Sequence, residues 1–513
     1  MDFLKSVQLI QGGMGVYFSN WRLARAVASE RPGKTAGTVS GTALDVVYVR
    51  LLQLGDPGGN IRRAFAAMDA QYATDIGKRI IERYYIEGGK APNAYFKSAP
   101  MQIPRSLDGK NAYSAPTGDA TTIPLKLDVN AVELLIATGF AEVWLAKHGH
   151  EGRVFINFLN KIELPLLYSL YGAMLAGVDG VIVGAGNPEG LPAACTMLAT
   201  HQPVGRRLPV LYAGPGEEFV LAFDPREIAG GAFTHAPLHR PAFLAIASLD
   251  DLVMALAASN TQPPDGFIIE HHTAGGHNAS PVGPARRDAQ GQPIYDARDE
   301  PNLDIIRNAG LPFWMAGGYG SREGLQKALA AGATGVQVGS VFALCEESGI
   351  KPEFRVAILK AMRSGADETE LVKTTLFSPT GFPFKVVQVE GSLSDDEVFA
   401  ARNRTCDIGL LQQVGMSQPD ANGTRTMFQR CSAAPIDTYV SRRGLERNTE
   451  DRRCLCNGLL SCAGLGQVRR SELEFVEEPA IITLGNHLGG IKRMSRNGQT
   501  PYHAQDIIVD ILG

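Results

Sequence analysis

At 513 residues the chain exceeds one ordinary domain, and with 44% apolar and 20% charged residues it has the composition of a globular protein with a sizeable interior, not of a disordered one. A formal net charge of −4 and a pI near 6.2 leave no electrostatic footprint for nucleic acid or an anionic membrane, so small-molecule chemistry is favoured by elimination. The stretch from Met1 to Gly13 has no basic segment followed by a long apolar run, no uncharged apolar window of about 18 residues occurs, and seven widely spaced cysteines do not make a secreted disulfide framework, so a cytoplasmic protein without a membrane span is expected.

Val7 to Gln11 reads as a strand, Gly12-Gly13-Met14-Gly15 as a glycine loop, and the segment after Ser19, with Trp21, Leu23, Ala24 and Val27, as a capped helix. Thr35 to Ser40 and the helical pattern from Leu44 to Leu54 repeat the unit. Residues from about 60 to 150 break the rhythm, with helices near Ile61–Met68 and Ala73–Ile86, then a loop-rich span holding Pro92, Pro100, Pro104, Pro116 and Pro124; this reads as a long insertion after the second strand. Val154 to Phe158 and Gly180 to Val183 restore the alternation. A second insertion, about 208–240, reads as a hairpin of Pro209–Tyr212 and Phe219–Phe223 around Gly214-Pro215-Gly216. Ala242 to Ala247, Gly266 to Glu270, Pro312 to Ala316 and Gly335 to Val338 complete the set.

Eight strands, nearly all followed by a helix, predict an α/β fold: a parallel (β/α)8 TIM barrel over residues 1–350. An open doubly wound sheet is the competing topology, since Gly184-x-Gly186-x-x-x-Gly190 follows a strand, but no acidic residue stands where a dinucleotide fingerprint needs one. Residues 351–513 read as a mainly helical C-terminal extension carrying a cysteine cluster, with a helix over Asp395–Arg402 and short apolar runs at Phe384–Val389 and Ala480–Leu484 too isolated to extend the barrel.

The chemistry concentrates in Gly266 to Ala279, where three of the ten histidines fall within seven positions and Gly275-Gly276 precedes His277. Imidazole suits acid, base or anion-stabilising work near neutrality, and the paired glycines let backbone approach a flat ligand. In a barrel the C-terminal strand ends converge, bringing Gly12–Gly15, Asn157, Gly184–Gly186, Ala274–His277, Gly317–Gly320 and Gly339-Ser340 together. The last two loops suit a phosphate at helix N-termini, although such glycines also simply make tight turns. Asn157 offers an amide to a ring edge or to neighbouring backbone, and Lys161 a cation at the mouth or in solvent. Cys406, Cys431, Cys454, Cys456 and Cys462 have the chemistry for zinc or an iron–sulfur site but no usual metal spacing, so metal stays unassigned.

The motifs Ile10-Gln11-Gly12-Gly13-Met14-Gly15, Phe155 to Ile162, Thr273-Ala274-Gly275-Gly276-His277-Asn278-Ala279, Pro312 to Gly320 and Gly335 to Gly339 together resemble the nitronate monooxygenase family, formerly 2-nitropropane dioxygenases, over roughly residues 5 to 350. The barrel is also similar to that of FMN-dependent enoyl-acyl-carrier-protein reductases. The resemblance implies FMN across the barrel mouth, with its phosphate on Gly317, Gly318, Gly339 and Ser340. Gly13 and Met14 would back the ring, with Asn157, Lys161, Gly184, Gly186, Ala274, Gly275, Gly276, Gly320 and Gln337 also in the cofactor set, and His277 as the catalytic residue. The implied reaction is oxidative denitrification of alkyl nitronates by O2 to a carbonyl compound and nitrite. The alternative is NAD(P)H- and FMN-dependent reduction of an enoyl thioester. His271 and His272 depart from the family pattern, and their role, the physiological substrate, homo-oligomer formation and the purpose of the extension are left open.

Overall fold

The computed structural model describes residues 1–114, 121–284, 286–471, 474–496 and 501–513; Pro116 of the expected loop-rich span lies outside them. Eight strands form a closed all-parallel barrel: β1 (Leu9–Gln11), β2 (Thr35–Ser40), β3 (Arg153–Leu159), β4 (Gly180–Gly184), β5 (Ala242–Ala247), β6 (Gly266–Glu270), β7 (Phe313–Ala316) and β8 (Gly335–Val338). Each pairs with its sequence neighbours, and β8 closes on β1 through Ile10 opposite Gln337. The strands stand where the alternation of strand and helix predicted them.

The barrel is a packed core, not a pore. Ile10, Phe155, Ile182, Leu244, Ile268 and Trp314 fill its interior, and Leu4 and Val7 close it from below, where the Trp314 indole donates to the Val7 carbonyl at 2.8 Å. Side chains alternate along a strand, so the next inward positions are Gly12, Asn157, Gly184, Ile246, Glu270 and Ala316. Those six residues line the cavity above the core. The sequence period of two therefore builds the floor of the site directly on the hydrophobic plug.

The helix Val129–Lys147 was not anticipated; it lay within the stretch read as insertion. It is apolar on all sides, with mean hydropathy 1.4, so it shows no helical stripe, and by length and composition it would pass for a membrane span. In the fold 83% of that window is buried, packed among the barrel's outer helices as a core helix leading into β3. Its one deeply buried carboxylate, Glu142, accepts from the Tyr48 hydroxyl at 2.6 Å, and burial pushes it up to about 7.

The hairpin expectation is half corrected. Phe219–Phe223 is a strand arm, within Glu217–Phe223, but its antiparallel partner is Val204–Leu208 rather than Pro209–Tyr212. Val210–Leu211 pairs instead with Gln413–Met416 of the extension, and Glu217–Phe223 also pairs with Thr121–Lys126, so the two insertions share a sheet. In the extension helices outweigh strands, with a helix at Asp396–Ala401. Phe384–Val387 does form a strand, against Val372–Thr375, whereas residues 480–484 belong to no strand.

Candidate active site

At the C-terminal mouth of the barrel lies a cavity of about 470 Å³, within the range of small-molecule and cofactor sites. Its floor is the inward layer above the core, and its rim is made of the strand-end loops. Gly13, Met14, Asn157, Gly184, Ala274, Gly275, Gly276, His277, Gly317, Gly318, Gly320, Gln337, Gly339 and Ser340 all line it. Lys161 and Gly186 do not. Lys161 turns behind the wall with its ammonium 4.5 Å from the Phe382 ring, and a Cβ on Gly186 would face Asn160. Gly13 cannot carry a side chain, since a Cβ there would sit 2.2 Å from that of Asn157.

One end of the cavity is built for an anion. Gly317, Gly318 and Gly320 lead into the helix Arg322–Ala330, capped by Ser321, and Gly339 leads into Ser340–Ala343. A third helix, Gly489–Arg496, begins at the same place but belongs to the extension, and Arg493 from it lines the cavity while bonding the Gly320 carbonyl at 2.8 Å and Asp510 at 2.7 Å. Helix N-termini with exposed N–H groups attract negative charge. The segment Gly485-Asn486-His487-Leu488-Gly489-Gly490 repeats the glycine-loop-then-helix pattern of the barrel loops, a signal in the sequence that went unread.

The extension therefore forms one wall. Glu368, Phe384, Leu410, Leu411, Leu455 and Thr483 are among its lining residues. It is fastened to the Gly-Gly-His loop and to the loop after β8 by hydrogen bonds: the Thr483 hydroxyl accepts from Gly276 N–H at 2.8 Å, the Ser340 hydroxyl accepts from Gly485 N–H at 2.7 Å, and Lys385 N–H donates to the Gly276 carbonyl at 3.0 Å.

His277 stands in this seam, edge-on to Phe384 with ring centroids 4.8 Å apart. Its Nε2 is 2.7 Å from the hydroxyl of fully buried Ser378, which in turn lies 2.8 Å from that of Thr380. The tautomer that donates Nε2–H to Ser378 leaves a lone pair on Nδ1, which has no partner among the described residues. Burial, reinforced by the charge of Lys161, holds the imidazole well below its ordinary range, so it is neutral at physiological pH. Ser378 lies 101 residues away in sequence, and no local signal ties it to His277.

Three more ionisable groups surround the floor. Glu270, missed as a site residue although it closes β6, is pushed up to about 7 by burial against the pull of Lys161 and Lys385. Burial brings Lys161 down to about 7 and Lys385 to about 8. The Lys161 ammonium has no hydrogen-bond partner among the described residues, and Asn157 Oδ1 and Gln337 Oε1 are buried and unpartnered in the same way. Asn157 and Gln337 line the cavity, and orphaned groups at a cavity wall mark where a ligand completes the bonding. His271 and His272 do not line the cavity. His271 is held by Thr273 at 2.8 Å and Glu300 at 2.9 Å, and His272 stacks on Tyr295 at 3.9 Å, so the pair braces the loop from behind.

Comparison with known proteins bears on the half of the barrel that carries this seam. The sequence model of the family described as nitronate monooxygenase matches residues 239–386. A nitronate monooxygenase, npaC, of Metarhizium robertsii is 31% identical over 136 residues, covering 26% of this chain and 34% of that protein. A probable nitronate monooxygenase of Bacillus subtilis is 33% identical over 116 residues, 22% of this chain and 30% of that one, so the matched segment spans about a third of these relatives. Among solved structures, FabK of Thermotoga maritima aligns over 100% of this chain and 93% of its own at 13% identity and a TM-score of 0.43. A nitroalkane oxidase of Streptomyces ansochromogenes aligns over 98% and 94% at 13% and 0.43. The matched segment, residues 239–386, includes β5 to β8 and the Gly-Gly-His loop, and there the chain is similar to the nitronate monooxygenase family.

Proposed function

We propose that the chain is an FMN-dependent oxidoreductase that converts alkyl nitronates and O2 to a carbonyl compound and nitrite. The observation that carries this reading is a buried imidazole, its Nε2 2.7 Å from the Ser378 hydroxyl, at a glycine-rimmed cavity that ends at three helix N-termini. The residues fit the cofactor. The helix N-termini and Arg493 suit its phosphate, the side-chain-free face at Gly12 and Gly13 admits a flat ring, and the unpartnered amides of Asn157 and Gln337 suit the ring's polar edge. When bound, the flavin supplies the electron transfer and oxygen chemistry.

The protein's own part is binding and proton handling. Nδ1 of His277 takes the acidic proton from the carbon next to a nitro group, while Nε2–H stays on Ser378 and fixes the tautomer. Burial disfavours the imidazolium until the nitronate beside it supplies a counter-charge, so proton transfer and anion formation are coupled. Lys161 and Lys385 behind the wall add positive potential that favours the anion.

The apolar part of the wall, Leu410, Leu411, Leu455 and Leu459, suits an alkyl or acyl chain. It favours a second reading, NAD(P)H-dependent reduction of an enoyl thioester with His277 as proton donor. Nitrite release in air from a nitronate without NAD(P)H is the expected result. Consumption of NAD(P)H with a crotonyl thioester and no nitrite from any nitronate would transfer the assignment to the second reading.

A further inference from the structure

Four of the five cysteines of the extension meet in one place. Cys406, Cys431, Cys454 and Cys456 come from three separate stretches and line a small closed cavity with Ile408, Leu411 and Ala433. Cys462, at the far end of the helix Leu455–Cys462, is not among them and lies beside Lys351 and Glu353. The thiols are free. None of the four is joined to another in a disulfide.

The surroundings are those of thiolate ligands. Gln412 Nε2 donates to Cys406 Sγ at 3.3 Å and Asn457 Nδ2 to Cys454 Sγ at 3.4 Å, and Cys454 stands immediately before the first residue of the helix Leu455–Cys462. Arg402, whose Nε is paired with buried Glu478 and whose Nη2 is unpartnered among the described residues, lies near Cys454, and Arg404 near Cys431. The carboxylate of Asp407, next to Cys406 in the chain, is engaged by Arg469 at 2.9 Å and Asn457 at 2.8 Å. Cysteines that merely fill a core need neither N–H donors nor cations.

We propose that Cys406, Cys431, Cys454 and Cys456 ligate an iron–sulfur cluster. A single zinc ion draws four sulfurs into one shell at about 2.3 Å from the metal. Among the described residues only His271, His272 and Glu300 bring three ligand atoms within 4.8 Å of one another, so no three of these sulfurs do. Four sulfurs that line one cavity without any three converging match a polynuclear cluster, whose thiolates bind different irons. Arg404, whose guanidinium bonds only the backbone carbonyls of Ser432 and Thr449 among the described residues, offsets part of the negative charge of such a group. Leu411, Leu455 and Cys456 line this cavity and the large one alike, so the cluster stands one layer of side chains from the barrel mouth.

The test is the metal content of the full chain purified anaerobically. Iron and acid-labile sulfide are expected in equal amounts, about two to four of each per chain, with a broad visible absorption that dithionite bleaches. Cys431→Ser and Cys456→Ser should lose most of the iron, and Cys462→Ser should keep it, with circular dichroism confirming that each variant is folded. Stoichiometric zinc without sulfide, a Cys406–Cys431 disulfide, or no iron even after anaerobic reconstitution with ferrous iron and sulfide would overturn the proposal. Flavin is measured in the same samples: a protein that holds flavin and no cluster fails this proposal alone, and one with a cluster and no flavin fails only the reading of the barrel.

Discussion

His277 and Lys161 are linked through space, and the link sets how the site responds to pH. Lys161 is depressed from 10.5 to about 7, so between those values the unfolded chain binds the extra proton and stability falls as the pH drops from 10.5 toward 7. Glu270 acts in the opposite sense lower down: raised from 4.5 to about 7, it gives stability that is present below 4.5 and is lost as the pH rises to 7. In Lys161→Met the rise of stability above pH 7, followed by denaturant unfolding, should be shallower, with Lys385 left to supply it. Removing that cation should also move the His277 titration, read by NMR, up toward 6.5, because Lys161 is one of the two causes holding it down. An unmoved titration would break the link. Ser378→Ala should leave KM nearly unchanged and lower kcat by about tenfold to a hundredfold, through loss of the ring's tautomer control; a change in KM alone would make Ser378 a packing residue. His277 was legible from Gly-Gly-His. Ser378 was not, because the contact is made by the fold and not by neighbours in the chain.

At the scale of elements, strand and helix alternation located all eight barrel strands, since buried parallel strands read as short apolar runs ending in glycine. The same period of two marks Ile246, Glu270 and Ala316 as floor residues once Leu244, Ile268 and Trp314 are known to face inward. The helix Val129–Lys147 escaped because a segment buried on every side carries no stripe, and the hairpin arm was displaced because Val210–Leu211 is claimed by a strand about 200 residues later. The seam between barrel loop and extension has its own test. A Cβ on Gly275 would lie 2.8 Å from the backbone nitrogen of Gly485, so Gly275→Ala must push the extension from the His277 loop, a distortion of about 1–3 kcal/mol. FMN affinity, from quenching of flavin fluorescence, should fall roughly tenfold or more, as 1.4 kcal/mol is about tenfold. Unchanged affinity would show that the wall does not shape the cofactor site.

For the whole molecule, barrel and extension share one cavity, so a ligand in it should stabilise both together. FMN at about a hundred times its Kd should contribute about 2.7 kcal/mol and raise a single thermal transition; two transitions, only one of which responds, would mean that the two parts do not close the site jointly. The barrel was readable from its alternation, whereas the division of the site between residues 1–350 and the extension was not, because nothing in a glycine loop at residues 485–490 says which loops it faces. The most direct measurement is an anaerobic titration of the flavin-loaded chain with a nitronate, followed by visible absorbance. The nitronate alone should bleach the flavin in the wild type, about a hundredfold more slowly in His277→Asn when the neutral nitroalkane is supplied, and admitting air should release nitrite. Flavin that ignores every nitronate and bleaches only with NAD(P)H would contradict the account.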